Sequence, residues 1–180
     1  MDPIDALLNE GGSSYVPAIS AILAFRELVI KRCRQMVLNR LGDYSTALGT
    51  ELNEDQFRNW DSPKLDKWDG QWASLGLEIA EVGNSREYLY HTVQWEQTGE
   101  GQWLISATAS IWTRTRAKLD KLSEAFRAHT HNLNIWTSVD DYDIGIYIEV
   151  PPTQMMCFET IMDTVYQQWI KLWQDVGGLK

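Results

Sequence analysis

The chain has 180 residues, 25 acidic against 16 basic side chains, a net charge of -9 and 44% hydrophobic positions. That length suits one domain with a sizeable core, and the apolar share excludes disorder over the whole chain. The acidic balance argues against a general phosphate-gripping surface, because non-specific nucleic-acid affinity comes mostly from Lys and Arg.

Residues 1–14 read as a flexible lead-in, with Asn9-Glu10-Gly11-Gly12-Ser13-Ser14 supplying a helix cap, and 15–180 as a single domain. A long helix is predicted from about Tyr15 to Leu41, with Pro17 in its first turn and Gly42 as its stop. Its buried stripe is Ile19, Ile22, Leu23, Val29, Ile30, Cys33, Val37 and Leu41. Asn53, with Gln56 three positions on, predicts a capped short helix reaching Trp60, ended by Asp61-Ser62-Pro63.

From Leu75 the period changes to two. Leu75, Leu77 and Ile79 alternate with Gly76, Glu78 and Ala80, and Gly83-Asn84-Ser85 turns the chain. The next strand, about Glu87 to Gln97, puts Leu89, Val93 and Trp95 on one side and Tyr88 and Tyr90 on the other. After the turn at Thr98-Gly99-Glu100-Gly101, Trp103, Ile105, Ala107 and Ala109 alternate as a third strand of an antiparallel meander. A helix at about Thr113 to His129, a hairpin of 133–139 and 142–150 turning at Asp140-Asp141, and a last helix from about Thr153 to Val176 complete the chain. Helix, three-stranded meander, helix, β-hairpin, helix is an α+β order around an antiparallel sheet.

Cys33 and Cys157 each sit in an apolar helical pattern and read as buried free thiols, since two distant cysteines are no disulfide framework. Met1-Asp2-Pro3-Ile4-Asp5 is acidic where a signal peptide would be basic. Arg26, Glu27, Lys31 and Arg32 interrupt the longest apolar stretch, short of the roughly 20 residues a membrane span needs. A cytoplasmic protein with no membrane contact is expected.

Three surface features stand out. The last helix carries Phe158, Ile161, Met162, Val165, Tyr166, Trp169, Ile170, Leu172, Trp173 and Val176, an arc of roughly 180° where a sheet-capping helix needs little more than about 100°. Either the helix is wedged between the sheet and the first helix, or Trp169 and Trp173 belong to a partner or dimer surface. Trp60, Trp68 and Trp72 lie in the turn-rich stretch 58–72, either folded over the sheet or acting as binding anchors. Charge is also segregated. Residues 15–42 hold Arg26, Lys31, Arg32, Arg34 and Arg40 against Glu27 alone, a balance of +4, which leaves -13 of the total -9 elsewhere. From Ala128 to Ile170 there is no Lys or Arg, while Asp140, Asp141, Asp143, Glu149, Glu159 and Asp163 fall there. Such a patch either pairs with the protein's own basic helix or steers a basic partner.

Catalytic patterns are scarce. There is no Asp/Glu-x-Lys triplet, glycine-rich phosphate loop, serine elbow or paired-cysteine zinc spacing, and Gly99-Glu100-Gly101 precedes no helix. His129-Thr130-His131 is the one metal-like spacing, with Asp140 or Asp141 as a further ligand across the hairpin, although histidines at a helix end also complement its dipole. His91, alternating with Leu89 and Val93, reads as a satisfied core histidine.

The element order over about residues 15–176, with its acidity and amphipathic last helix, resembles the small type III secretion chaperones, a resemblance that implies a dimer holding effector segments. The long 43–70 segment and the nine tryptophans depart from that pattern. The function expected from the residues is a non-enzymatic interaction module (inhibitor, adaptor or chaperone-like) without metal or cofactor. Its partner would be a protein with a basic surface, bound through Asp140, Asp141, Asp143, Trp60, Trp68, Trp72, Trp169 and Trp173. In one version the three aspartates stand where the phosphates of a nucleic acid would bind that partner. The alternative is a metal-dependent enzyme or enzyme-associated module built on His129, His131 and Asp141.

Overall fold

The computed structural model describes residues 3–61, 72–83, 87–97, 100–129, 134–138, 142–150 and 158–179. Helix α1 spans Pro3–Leu38, α2 Leu41–Leu48, α3 Arg116–His129 and α4 Phe158–Val176. The strands are β1 Phe57–Asp61, β2 Trp72–Val82, β3 Glu87–Gln97, β4 Trp103–Trp112, β5 Asn134–Ser138 and β6 Asp143–Val150. They form one antiparallel six-stranded sheet in the order β1-β2-β3-β4-β6-β5. The α+β order read from the sequence therefore holds, with β2-β3-β4 as the meander and β5-β6 as the hairpin.

Three boundaries differ from the sequence reading. Helix α1 begins at Pro3, within the stretch read as a lead-in, and ends at Leu38. Gly42 does not stop it. The chain turns at Asn39–Arg40 and restarts as α2, which ends at Gly49, whose φ of 70° is the left-handed conformation a helix C-terminus favours. Gly49 N–H donates to Thr46 O and Thr50 N–H to Ser45 O, satisfying the last carbonyls. The break lets α2 bury Tyr44, Ala47 and Leu48.

The capping box at Asn53 and Gln56 is present, but it closes a single 3-10 turn, Glu54–Gln56, and no helix follows. Phe57–Asp61 instead pairs with β2, Phe57 opposite Ile79 and Asp61 opposite Leu75.

Alternation then decides which side of the sheet is apolar. Leu75, Leu77 and Ile79 pair with Val93, His91 and Leu89, which pair with Ala107, Ala109 and Ile111, and these with Ile148, Ile146 and Ile144. This face joins Val29, Cys33 and Val37 of α1, the buried residues of α2, Leu119, Leu122 and Phe126 of α3, and α4 in one core. Helix α4 packs against β4, β6, α2 and α3 at once. That explains its wide apolar arc: Met162, Val165, Tyr166, Trp169, Leu172 and Trp173 are all buried. Phe126, Trp169 and Trp173 meet edge to face, with ring centres 5.1–5.5 Å apart.

The arginines of α1, and Arg40 in the turn after it, pair with the protein's own carboxylates. Arg26 pairs with Asp61, Arg32 with Glu159 (2.9 Å), Arg34 with Glu54 (3.1 Å) and Arg40 with Asp163. The charge segregation is thus largely internal on this side of the molecule. No described helix is long and apolar enough to cross a membrane.

Candidate functional site

The second face of the sheet contributes no residue to the shared core, while every described helix contributes to it. Its register rows read Arg58-Glu78-Tyr90-Ser110-Gly145, then Trp60-Gly76-Thr92-Thr108-Tyr147, with Tyr88-Trp112-Asp143 at one end and Gln94-Ser106-Glu149 at the other. Small residues form the floor. Ser74, Thr92, Thr108 and Ser110 are buried, and the Thr92 and Thr108 hydroxyls share a hydrogen bond. Aromatic rings stand above this floor, half-buried: Trp60, Tyr88, Tyr90, Trp112 and Tyr147.

Strand spacing explains how the rings meet. Trp60 on β1 reaches Tyr90 on β3 across β2, where Gly76 stands opposite Trp60 and presents no side chain; the ring centres lie 4.9 Å apart. The Trp60 indole N–H donates to Ser74 Oγ at 2.8 Å. Tyr88 and Trp112, directly opposite on β3 and β4, form a second edge-to-face pair at 5.6 Å. Tyr88, Tyr90, Trp112 and Arg114 line an open cleft of about 190 Å³. The Arg114 guanidinium carbon lies 5.9 Å from the centre of the Trp112 ring, within cation–π reach.

Carboxylates punctuate the same face. Burial raises the Tyr90 phenol pKa first, and the Glu78 carboxylate it hydrogen-bonds and the charge of Asp143 raise it further. Glu78 also faces Arg58 Nη1 at 3.8 Å. The phenol is therefore a proton donor to Glu78 throughout the neutral range. Glu149 is exposed at the outer end.

The residues expected at a binding surface separate into three groups. Trp60 and Asp143 lie on this face, Asp143 opening β6 opposite Trp112, and Trp72 opens β2 opposite Glu96. Trp169 and Trp173 are 0% exposed. The partner reading of α4 is corrected accordingly, because its indoles are consumed by packing between the sheet, α2 and α3. Trp68, Asp140, Asp141, His131 and Cys157 lie outside the described residues. His129 is exposed as the last residue of α3, and no group of three His, Cys, Asp or Glu among the described residues could hold a metal.

His91 is buried as expected but not satisfied. Neither ring nitrogen has a partner among the described residues, and its ring packs between Tyr44 (5.2 Å) and Tyr166 (4.5 Å). Burial holds its pKa down to about 3. Cys33 is a free, fully buried thiol, pushed up to about 12 by burial and so inert as a nucleophile.

Sequence reasoning placed Tyr88 and Tyr90 opposite the core side of β3 but did not select them. No local signal selects Trp112, the last residue of β4, or Arg114 in the connection after it, although the alternation Ala107, Ala109, Ile111 puts Trp112 on the polar face. Comparison with protein-family models, curated proteins and solved structures returned no match, so the resemblance to secretion chaperones rests on element order and composition alone.

Proposed function

We propose that this chain is a non-enzymatic protein-interaction module that receives a basic segment of a partner protein on the face of its sheet opposite the helix-packed core. The observation that carries the proposal is one surface combining half-buried Trp60, Tyr88, Tyr90, Trp112 and Tyr147 with the carboxylates Glu78, Asp143 and Glu149. Aromatic rings supply contact area at little entropic cost, and carboxylates select a cationic partner and speed its encounter. The chain's net charge of -9 favours the same partner and opposes nucleic acid. Adaptor, inhibitor and chaperone-like roles all use such a surface. In the nucleic-acid-mimic version, Asp143 acts with Asp140 and Asp141 in place of phosphates. A free thiol at Cys33 fits a reducing compartment, the cytoplasm. A homodimer would use α1, where Leu23 and Leu28 are each 52% exposed, and not the buried arc of α4.

Affinity capture of the partner followed by a salt titration tests the proposal. The partner is expected to be basic and to be released as ionic strength rises from about 0.1 to about 0.5 M, where the Debye length falls below about 5 Å. A neutral or acidic partner held independently of salt overturns the reading. Binding unchanged in the Asp140→Asn, Asp141→Asn, Asp143→Asn triple variant removes the phosphate-mimic version.

A further inference from the structure

The cleft lined by Tyr88, Tyr90, Trp112 and Arg114 measures about 190 Å³. Pockets that take drug-sized ligands span roughly 300–1,000 Å³, so this one suits a single side chain. Its walls are electron-rich. Tyr88 and Trp112 meet edge to face, and Tyr90 closes the cleft from the neighbouring row. Two carboxylates act on the same ring: Glu78, which accepts the Tyr90 hydroxyl, and Asp143, which stands opposite Trp112.

The chain itself demonstrates what this wall accepts. Arg114 extends from the short connection between β4 and α3 and holds its guanidinium 5.9 Å from the Trp112 ring centre. Arg114 is exposed and makes no ion pair among the described residues. An exposed cation–π contact is worth only a few-fold in affinity, so a better-placed cation can displace it.

We infer that the cleft seats an arginine side chain of the partner, which takes the place of Arg114 on Trp112 with Glu78 and Asp143 supplying the opposing charge. This inference rests on the basic-partner reading and specifies its contact. Arginine is favoured over lysine because a planar guanidinium stacks on an indole while an ammonium remains strongly hydrated. A neutral aromatic side chain would stack equally but would gain nothing from the two carboxylates.

Calorimetric titration of the full chain with a short Gly/Ser peptide bearing arginine, and with its lysine and citrulline counterparts, tests the inference. Citrulline keeps the shape and removes the charge. The arginine peptide is expected to bind about tenfold more tightly than the citrulline peptide, and severalfold more tightly than the lysine peptide. Trp112→Ala is expected to abolish the preference for arginine over lysine, which rests on stacking, while the carboxylates still favour either cation over citrulline. Arg114→Ala, on an exposed residue outside the sheet, is expected to tighten binding about threefold by removing the internal competitor. Equal affinity for arginine and citrulline peptides overturns the inference, as does weaker binding to Arg114→Ala. A preference for arginine over lysine that survives Trp112→Ala in a folded protein also overturns it. A captured partner that remains basic and salt-sensitive while any of these results holds leaves the basic-partner reading standing and removes the cleft alone.

Discussion

His91 is an imidazole at odds with its surroundings. It sits at 0% exposure on the core face, with no hydrogen-bond partner for either nitrogen among the described residues. Its pKa is about 3 in the fold against 6.5 for a free imidazole. The unfolded chain therefore binds a proton that the folded chain refuses between those values, and stability falls as pH drops through that window at about 1.4 kcal/mol per unit. Between pH 7 and 5 the loss from this group is about 2 kcal/mol. His91→Leu is expected to lack that share, so urea unfolding of the variant and the parent at the two pH values should show their difference shifting by that amount in favour of the variant at pH 5. Glu87, 1% exposed, is the converse case: a buried charge that is paired, with Lys118 Nζ at 2.7 Å and the Thr113 hydroxyl donating at 3.4 Å. Lys118→Met leaves the carboxylate buried without its cation and should cost about 3 kcal/mol in denaturant unfolding, whereas an exposed pair such as Arg116–Asp120 is worth a few tenths.

At the scale of elements, Gly76 of β2 sits close against the backbone of β3. A Cβ there would meet His91 O at 2.1 Å and Thr92 Cα at 2.8 Å, both backbone atoms that cannot swing aside. Gly76→Ala is expected to cost about 3 kcal/mol and to part the strands beneath Trp60, visible as lost amide protection in β2 and β3. The same strands show what was legible in the sequence. β2, β3 and β4 announced themselves because one face is apolar and the other polar over many residues, and that contrast fixes register. β1 did not. Phe57-Arg58-Asn59-Trp60-Asp61 is a polar edge strand whose only buried member is Phe57, and the real capping signal just before it pointed to a helix. The α1–α2 break was hidden for a related reason: Gly42 looked like a stop, but the turn at Asn39–Arg40 is set by burying Tyr44 and Leu48, a tertiary demand that no local spacing reports.

For the whole molecule, the decisive arrangement is that the helices share one core with a single side of the sheet. Residue alternation could say which side chains travel together, and it put Tyr88 and Tyr90 apart from Leu89. It could not say which side of the sheet the described helices would pack against. The indoles chosen from the last helix, Trp169 and Trp173, were reasonable by arc width, yet they fill the space between the sheet, α2 and α3. The side chains of the proposed binding face are instead cross-strand partners far apart in sequence, such as Tyr88 and Trp112. Exposure on α1 divides by the same layout: Val37 is 0% exposed and Leu23 52%. Val37→Ala should lower unfolding free energy by about 2 kcal/mol, and Leu23→Ser should leave it within about 0.5 kcal/mol. A larger loss in Leu23→Ser that scales with protein concentration would reveal self-association through α1. The split between layers also furnishes an optical handle. Trp169 and Trp173 are sealed from solvent while Trp60 and Trp112 are half-buried on the opposite side, so a small neutral quencher such as acrylamide should darken the second pair long before the first. With the other five tryptophans replaced by phenylalanine, emission would report occupation of the proposed binding face and melting of the interior as two signals.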